Sequence, residues 1–390
     1  MKNAYYRFGL SLLTSSMALP TFAGVTFGDA QDDWGALTIS GYVRAKYQDK
    51  NYGEAASDQK IQFDAAQLKL DYQAKNVFGH AEYRCYQYDT LCDFSTLVDA
   101  YVGYRFDPQQ NITVGVQPIP FGPGRFWEST LYGGINNTMG LEDAHDLGVN
   151  YHHEIDKTKV DLAYFATDGG NYVGTSRDSA RYTANFVKTS DSTQSTLSEK
   201  NMWVGRVSQD LDFASVPALK TTLGGSYWYS DINNKTTGGD GKRHAWALFG
   251  KFGYNNWALT LTGGKTSVSN KDALHPDYSV MGSYDGEYYV ANKGTFYTAD
   301  LSYVFKNIAD KGINITPYVT YSTFKKDNST DKDSTRNFVG VSMDYKKVSL
   351  VAEYIMSKND PFIGGTTTSL AQGDDNKWNK LLNLTLFYYF

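Results

Sequence analysis

Apolar and polar residues alternate along most of this chain with a period of two. The clearest run is the last one. Leu382, Leu384, Leu386, Tyr388 and Phe390 share one face, Asn383 and Thr385 share the other, and Phe387 and Tyr389 complete that second face. This period predicts a strand with one apolar face. Similar segments of about ten residues recur at 36–48, 62–74, 77–88, 96–106, 111–117, 146–153, 160–167 and 201–209. They continue at 220–230, 244–254, 257–268, 295–305, 313–324, 337–345, 348–356 and 378–390, which makes sixteen. The run 180–188 also alternates and leaves eighteen open.

The faces can be assigned residue by residue. Leu37, Ile39, Val43, Ala45 and Tyr47 oppose Tyr42, Arg44 and Lys46. Ala66, Leu68, Leu70 and Tyr72 oppose Gln67, Lys69 and Asp71. Gly79, Ala81, Tyr83 and Cys85 oppose His80, Glu82, Arg84 and Tyr86. Val98, Ala100, Val102 and Tyr104 oppose Asp99, Tyr101 and Arg105. Short connectors (75–76, 107–110, 255–256, 346–347) alternate with long polar ones (168–200, 231–243, 269–293, 325–336, 357–377). Short turns at one end and long loops at the other predict an all-β fold, a transmembrane antiparallel β-barrel of about 16 strands.

Composition sharpens the class. Aromatics make up 15% of the 390 residues, with 31 Tyr, while charged residues make up 20%. No apolar run reaches the length of about 18 residues that a spanning helix needs. Barrel strands meet lipid with every second residue only, so such a chain reads as polar overall while its aromatic girdles raise Tyr and Trp. At the start, Lys2 and Arg7 precede a short apolar stretch, and Thr21-Phe22-Ala23 offers a cleavage site. Residues 1–23 are therefore expected to be a secretory signal peptide, with the barrel at 24–390. Without Lys2 and Arg7 the net charge goes from −5 to −7.

The connector 118–146 is the most informative interior feature. Pro118, Pro120, Pro123, Gly122 and Gly124 crowd its start. Proline removes ladder donors, so the chain leaves the wall here, and its apolar residues need a surface to pack on. An inward-folded loop is expected. The run VGVQPIPFGPGRFWES with the later HDLGVNY resembles bacterial outer-membrane porins, in particular the phosphate-selective porin O/P family. The resemblance implies sixteen strands, a third external loop that narrows the pore, a homotrimer, and in the phosphate-selective members a ladder of arginine and lysine. The terminal strand ending at Phe390 resembles the signature that barrel-assembly machinery reads in the bacterial outer membrane.

No catalytic constellation stands out. His152 and His153 are adjacent on a strand and face opposite ways, so they do not share a metal. The acidic run 327–333 lacks calcium-loop spacing. Cys85 and Cys92 are close in an exported chain and point to a disulfide. No metal, cofactor or nucleic-acid partner is expected; the expected partners are outer-membrane lipid, small solutes and ions. The lumen charges carry the functional expectation, because Lys or Arg facing lipid at mid-depth costs about 2–4 kcal/mol. Arg44, Lys69, Arg84 and Arg105 on the wall, with Arg125, Glu128, Glu142 and Asp143 on the connector, are the candidate pore-lining residues. A basic wall is expected to oppose an acidic loop. Two functions follow: passive diffusion of small hydrophilic solutes and ions, or a channel selective for phosphate, another anion or sugars. Phe121, Phe126, Trp127 and Tyr132 would serve a sugar path, though packing of the loop on the wall accounts for them better. An enzyme or an adhesin fits less well.

Overall fold

The computed structural model describes residues 24–53, 60–88, 90–168, 181–284 and 286–390. The expected signal peptide lies outside them. Sixteen strands form the wall. They are β1 (Ala36–Lys50), β2 (Lys60–Ala74), β3 (Val77–Tyr86), β4 (Phe94–Asp107), β5 (Gln110–Pro118) and β6 (His145–Ile155). Then come β7 (Thr158–Asp168), β8 (Leu197–Asp212), β9 (Leu219–Asn234), β10 (Asp240–Tyr254) and β11 (Trp257–Ser269). The last are β12 (Lys293–Tyr303, continued by Phe305–Ile308), β13 (Ile313–Lys326), β14 (Ser334–Tyr345), β15 (Val348–Lys358) and β16 (Asn379–Tyr389). Each pairs antiparallel with its neighbours in sequence, and β16 closes the barrel on β1 in the register Tyr42↔Tyr389 to Lys50↔Leu381. Closure leaves no unpaired edge, which a strand wall in lipid requires.

The alternating run near 180–188 is not a wall strand. Arg181–Phe186 pairs with Tyr278–Tyr284, which pairs with Gly286–Ala291, in a separate three-stranded sheet built from two long connectors. The wall therefore has sixteen strands and not eighteen. A further short strand, Val25–Gly28, adds to β1.

Two irregularities depart from strict alternation. In β4 the register passes from Glu82↔Asp99 to Tyr83↔Leu97. Val98 is the extra residue: it is buried, and Leu97 takes the exposed position that alternation assigns to Val98. In β2 the register passes from Arg44↔Ala65 to Ala45↔Phe63, so Asp64 is extra and turns to the buried side. A bulge adds one residue to one strand and reverses the facing pattern beyond it.

The two faces of the wall differ. Leu68, Val102, Leu223, Leu248, Val339 and Leu386 stand exposed on the outer face, an apolar band that only lipid stabilises. On the opposite face Phe165, Trp228, Phe296 and Phe324 are buried with Phe121, Trp127, Ile135 and Leu141 of the connector 119–144 in one apolar cluster. Cys85 and Cys92 are joined by a disulfide across the connector between β3 and β4.

Leu248, at the middle of β10, tests the facing assignment. Leu248→Arg should cost about 2–4 kcal/mol of barrel stability in a bilayer. Urea unfolding in lipid vesicles followed by tryptophan fluorescence reads this directly. No loss would place this face in water.

Candidate functional site

The connector 119–144 departs from the wall after Pro118, the last β5 residue, whose Cα partner is His145 of β6. Gly122 has φ +68°, and a Cβ there would lie 2.5 Å from the Trp127 ring, so glycine is required at this turn. Trp127 sits with ring centroids 6.1 Å from Phe121 and 5.8 Å from Phe296, and Phe121 packs edge-on against Trp228 at 5.7 Å. These aromatics are consumed by packing. A one-turn helix, α1 (Ile135–Thr138), follows.

Polar side chains from distant strands then hold the connector. The Gly122 N–H donates to Ser226 Oγ at 2.9 Å, and Ser129 Oγ donates to Asp300 at 2.6 Å. Thr130 Oγ1 and the Leu131 N–H donate to Glu353 at 2.6 and 2.7 Å. The Ile135 N–H donates to Ser322 Oγ at 2.9 Å. Arg336 donates to the Gly133 carbonyl at 2.9 Å and to Thr138 Oγ1 at 3.0 Å, while Asp360 holds its guanidinium at 2.7 Å. Every one of these partners except Asp360 lies on the wall face opposite the apolar band. Arg336 escaped the sequence reading because it stands one residue before the alternating segment 337–345.

A second group gathers against β1 to β4. Glu82 receives Arg84 in a close ion pair, Gln67 Nε2 at 2.7 Å, Arg125 Nη1 at 3.4 Å and Lys69 Nζ at 3.9 Å. Arg125 also reaches Asp99 at 3.3 Å and Asp143 at 2.6 Å. Asp64 pairs with Arg44 and, at 2.8 Å, with Lys46. His145 lies with its ring nitrogens 2.6 Å from Asp99 and 2.8 Å from Asp143. The hydroxyl of Tyr182, from the loop sheet, accepts from Arg84 Nη1 at 3.0 Å and donates to Asp143. Tyr182 and Asp64 were missed from sequence, the first because its segment was weighed as wall, the second because a bulge reverses it.

Arg44, Lys69, Arg84, Arg125 and Asp143 thus come together. Arg105 does not join them: it binds Gln73 and stacks on Phe78 at 4.2 Å near the short-turn end. The connector's Glu128, Glu142 and Asp143 line one cavity with Arg44, Lys69 and Arg84 of the wall, but the connector is not acidic throughout. Its Arg125 reaches wall acids, and Glu128 and Glu142 lie with Asp300 and Trp127. The reason is charge matching: buried Glu82 and Asp99 need a cation, and Arg125 is the one the connector brings to them. His80, Glu82 and Asp99 have ligand atoms within 4.8 Å of one another, spacing that suits a metal ion, but Arg125 already occupies the gap between the two carboxylates.

Depth separates the two signs. Side-chain exposure is 0% for Glu82 and 2% for Asp99, against 22% for Arg125 and 37% for Lys69. The acids lie beneath and the cations stand over them. A cavity of about 510 Å³ is lined by Arg44, Lys69, Arg84 and Arg125, by the acids Asp71, Glu82, Glu128, Glu142 and Asp143, and by Phe126 and Tyr132 of the connector. A second, of about 470 Å³, shares Arg44 and Tyr86 with it and adds Lys46 and Lys50.

On the connector, burial works to raise the Asp143 carboxyl, but Arg125 and His145 outweigh it and hold it well below the usual range. Glu128 and Glu142 go the other way. Burial, with Asp300 adding repulsion, pushes Glu128 up to about 7, and burial with Glu128 beside it pushes Glu142 well above the ordinary carboxyl value. Among the described residues neither Glu128 oxygen nor Glu142 Oε2 accepts a well-formed hydrogen bond. A shared proton satisfies the pair. Gly134 permits it, since a Cβ there would lie 2.3 Å from Glu128 Oε1.

No known protein family matches the chain, and no curated protein matches it in sequence. Solved structures match its fold. The outer-membrane channel DcaP of Acinetobacter baumannii superposes with a TM-score of 0.59 at 12% identity, over 94% of this chain and all of that one. OmpF of Salmonella typhi, solved with daunomycin, gives 0.57 at 14%, over 92% and 98%. An anion-selective porin from Comamonas acidovorans gives 0.55 at 12%, over 91% and 100%. The fold is that of the outer-membrane porins of Gram-negative bacteria.

The Glu128–Glu142 pair predicts a pH dependence. Both folded-state pKa values are raised, so the pair's contribution is complete below the unfolded value of about 4.5, and Glu128's share is lost as pH rises through about 7. Single-channel current noise from the connector should therefore grow between pH 6 and 8 on the order of a pKa span. Glu128→Gln, which keeps a neutral group there, should flatten the dependence. An unchanged pH profile in that variant would refute the shared proton.

Proposed function

We propose that this protein is a water-filled channel of the bacterial outer membrane through which small hydrophilic solutes and ions diffuse, with a preference for anions. The observation that carries the preference is the layering of charge. Arg44, Lys46, Lys69, Arg84 and Arg125 stand over Asp64, Glu82, Asp99 and Asp143, five cations above four recessed acids. Lys69 and Arg125 stand nearer the solute than Glu82 and Asp99, while Asp71 is the one acid of this cavity wall that is itself well exposed. Low-dielectric walls focus such a field, so a few cations bias which ions enter. The connector 118–146 narrows the pore in this reading, supported by its bonds to strands from β3 round to β15 on the face opposite the lipid band. The anion-selective character of the Comamonas porin agrees with this reading, and so does the porin fold with assembly as a trimer. No phosphate-specific ladder is proposed. A sugar path along Phe121 and Trp127 has little support, since both rings are buried in the packing of the connector.

Zero-current potentials across a potassium chloride gradient test the preference. The variant Arg44→Gln, Lys69→Gln, Arg84→Gln uncovers Asp64 and Glu82, so chloride preference should fall several-fold and reverse toward potassium. An unchanged potential would mean these residues do not govern permeation. Deleting residues 121–138 should raise single-channel conductance in a folded barrel; conductance equal to the parent would remove the connector from the path.

A further inference from the structure

The cavity beside the cation group has a second wall whose chemistry does not fit bare inorganic ions. On the barrel side the rings of Tyr42, Tyr86 and Phe387 surround Arg44, with its guanidinium 5.7, 5.7 and 5.6 Å from their centroids. These rings form one buried aromatic cluster with Tyr389, and Leu131 of the connector packs against it. On the connector side Phe126 is 44% exposed, far more than Phe121 or Trp127 in the same segment, and it lines the cavity beside Arg125. Its ring centroid lies 5.0 Å from the Arg125 guanidinium. Tyr132 and Leu131 continue this side.

A solute crossing the cavity therefore meets cationic donors and carbon surfaces at once. Neutral sugars would gain nothing from the positive charge of the guanidinium groups. Inorganic anions would use the cations and leave the rings idle. A planar organic anion satisfies both: its carboxylate takes the ammonium of Lys69 and the guanidinium of Arg44, and its apolar ring packs on the exposed ring of Phe126. The volume of about 510 Å³ accommodates a molecule of that size.

We infer that this cavity is a transient binding site for small organic anions that carry a planar apolar body, such as aromatic carboxylates. The inference rests on the anion-preferring reading above and adds the substrate class. Phe126 is the connector's platform for the ring, and Lys69 and Arg44 hold the charged end.

The test is block of chloride current through the intact protein in planar bilayers by three probes. Benzoate has charge and ring, acetate has charge alone, and benzyl alcohol has a ring alone. Benzoate should block about three- to tenfold more tightly than acetate, the factor that aromatic contact supplies. Benzyl alcohol should block weakly. Phe126→Ala should bring benzoate down to the level of acetate while the chloride-to-potassium ratio stays that of the parent. Equal block by acetate and benzoate, equal block by benzyl alcohol, or an unchanged benzoate affinity in Phe126→Ala would each overturn the inference. The salt-gradient potential of the parent keeps the two readings apart. If the parent prefers chloride but does not discriminate benzoate from acetate, only the substrate class fails. If the parent prefers potassium, the anion reading itself fails.

Discussion

The structure turns on a carboxylate that has no surface. Glu82 is wholly buried on the inner side of a strand, and an unpaired charge there would cost several kcal/mol. Three cations and an amide converge on it. Lys69 and Gln67 come from the neighbouring strand and Arg84 from its own. Arg125 comes from a connector that starts two strands further on and ends three strands further on. Satisfying Glu82 thus fixes where the connector lies against this part of the wall. Removing any one partner leaves the others to compensate at partial cost, but removing Arg125 also leaves Asp99 with His145 and the more distant His80, and Asp143 with His145 and Tyr182. The ion cluster is therefore a positioning device before it is a filter.

The connector is held by opposite means at its two sides. Toward β8–β13 it buries Phe121, Trp127, Ile135 and Leu141, and apolar burial of this kind contributes about 1.5–3 kcal/mol for each large side chain. Toward β1–β4 it makes charged contacts around an open cavity. If both sides were apolar the connector would close the gap; if both were charged nothing would anchor it. The asymmetry keeps one side closed and the other wet.

The strand count was legible because alternation survives any lumen chemistry: each of the sixteen alternating segments corresponds to a wall strand. The candidate site was legible in part. Arg44, Lys69 and Arg84 lie on the inner face because strict alternation held up to them. Asp64 was hidden by the bulge that turns it inward, and Val98 was misassigned for the same reason. A bulge leaves no mark in the hydrophobic pattern except one residue out of phase. Tyr182 and Arg336 depend on tertiary contacts nearly a hundred residues or more away along the chain, a scale on which periodicity carries no information.

The pairing of signs follows from depth. A recessed acid pays its desolvation cost through the cation above it, and that cation keeps one side free for water and solute. Arginine suits this better than lysine because its planar fork binds the buried carboxylate along one edge and leaves another edge, and a stacking face, for something else. Arg44 and Arg125 use that face on the rings of Tyr42, Tyr86 and Phe387 and of Phe126. The same geometry that stabilises the buried acids therefore places ring and cation side by side along the cavity.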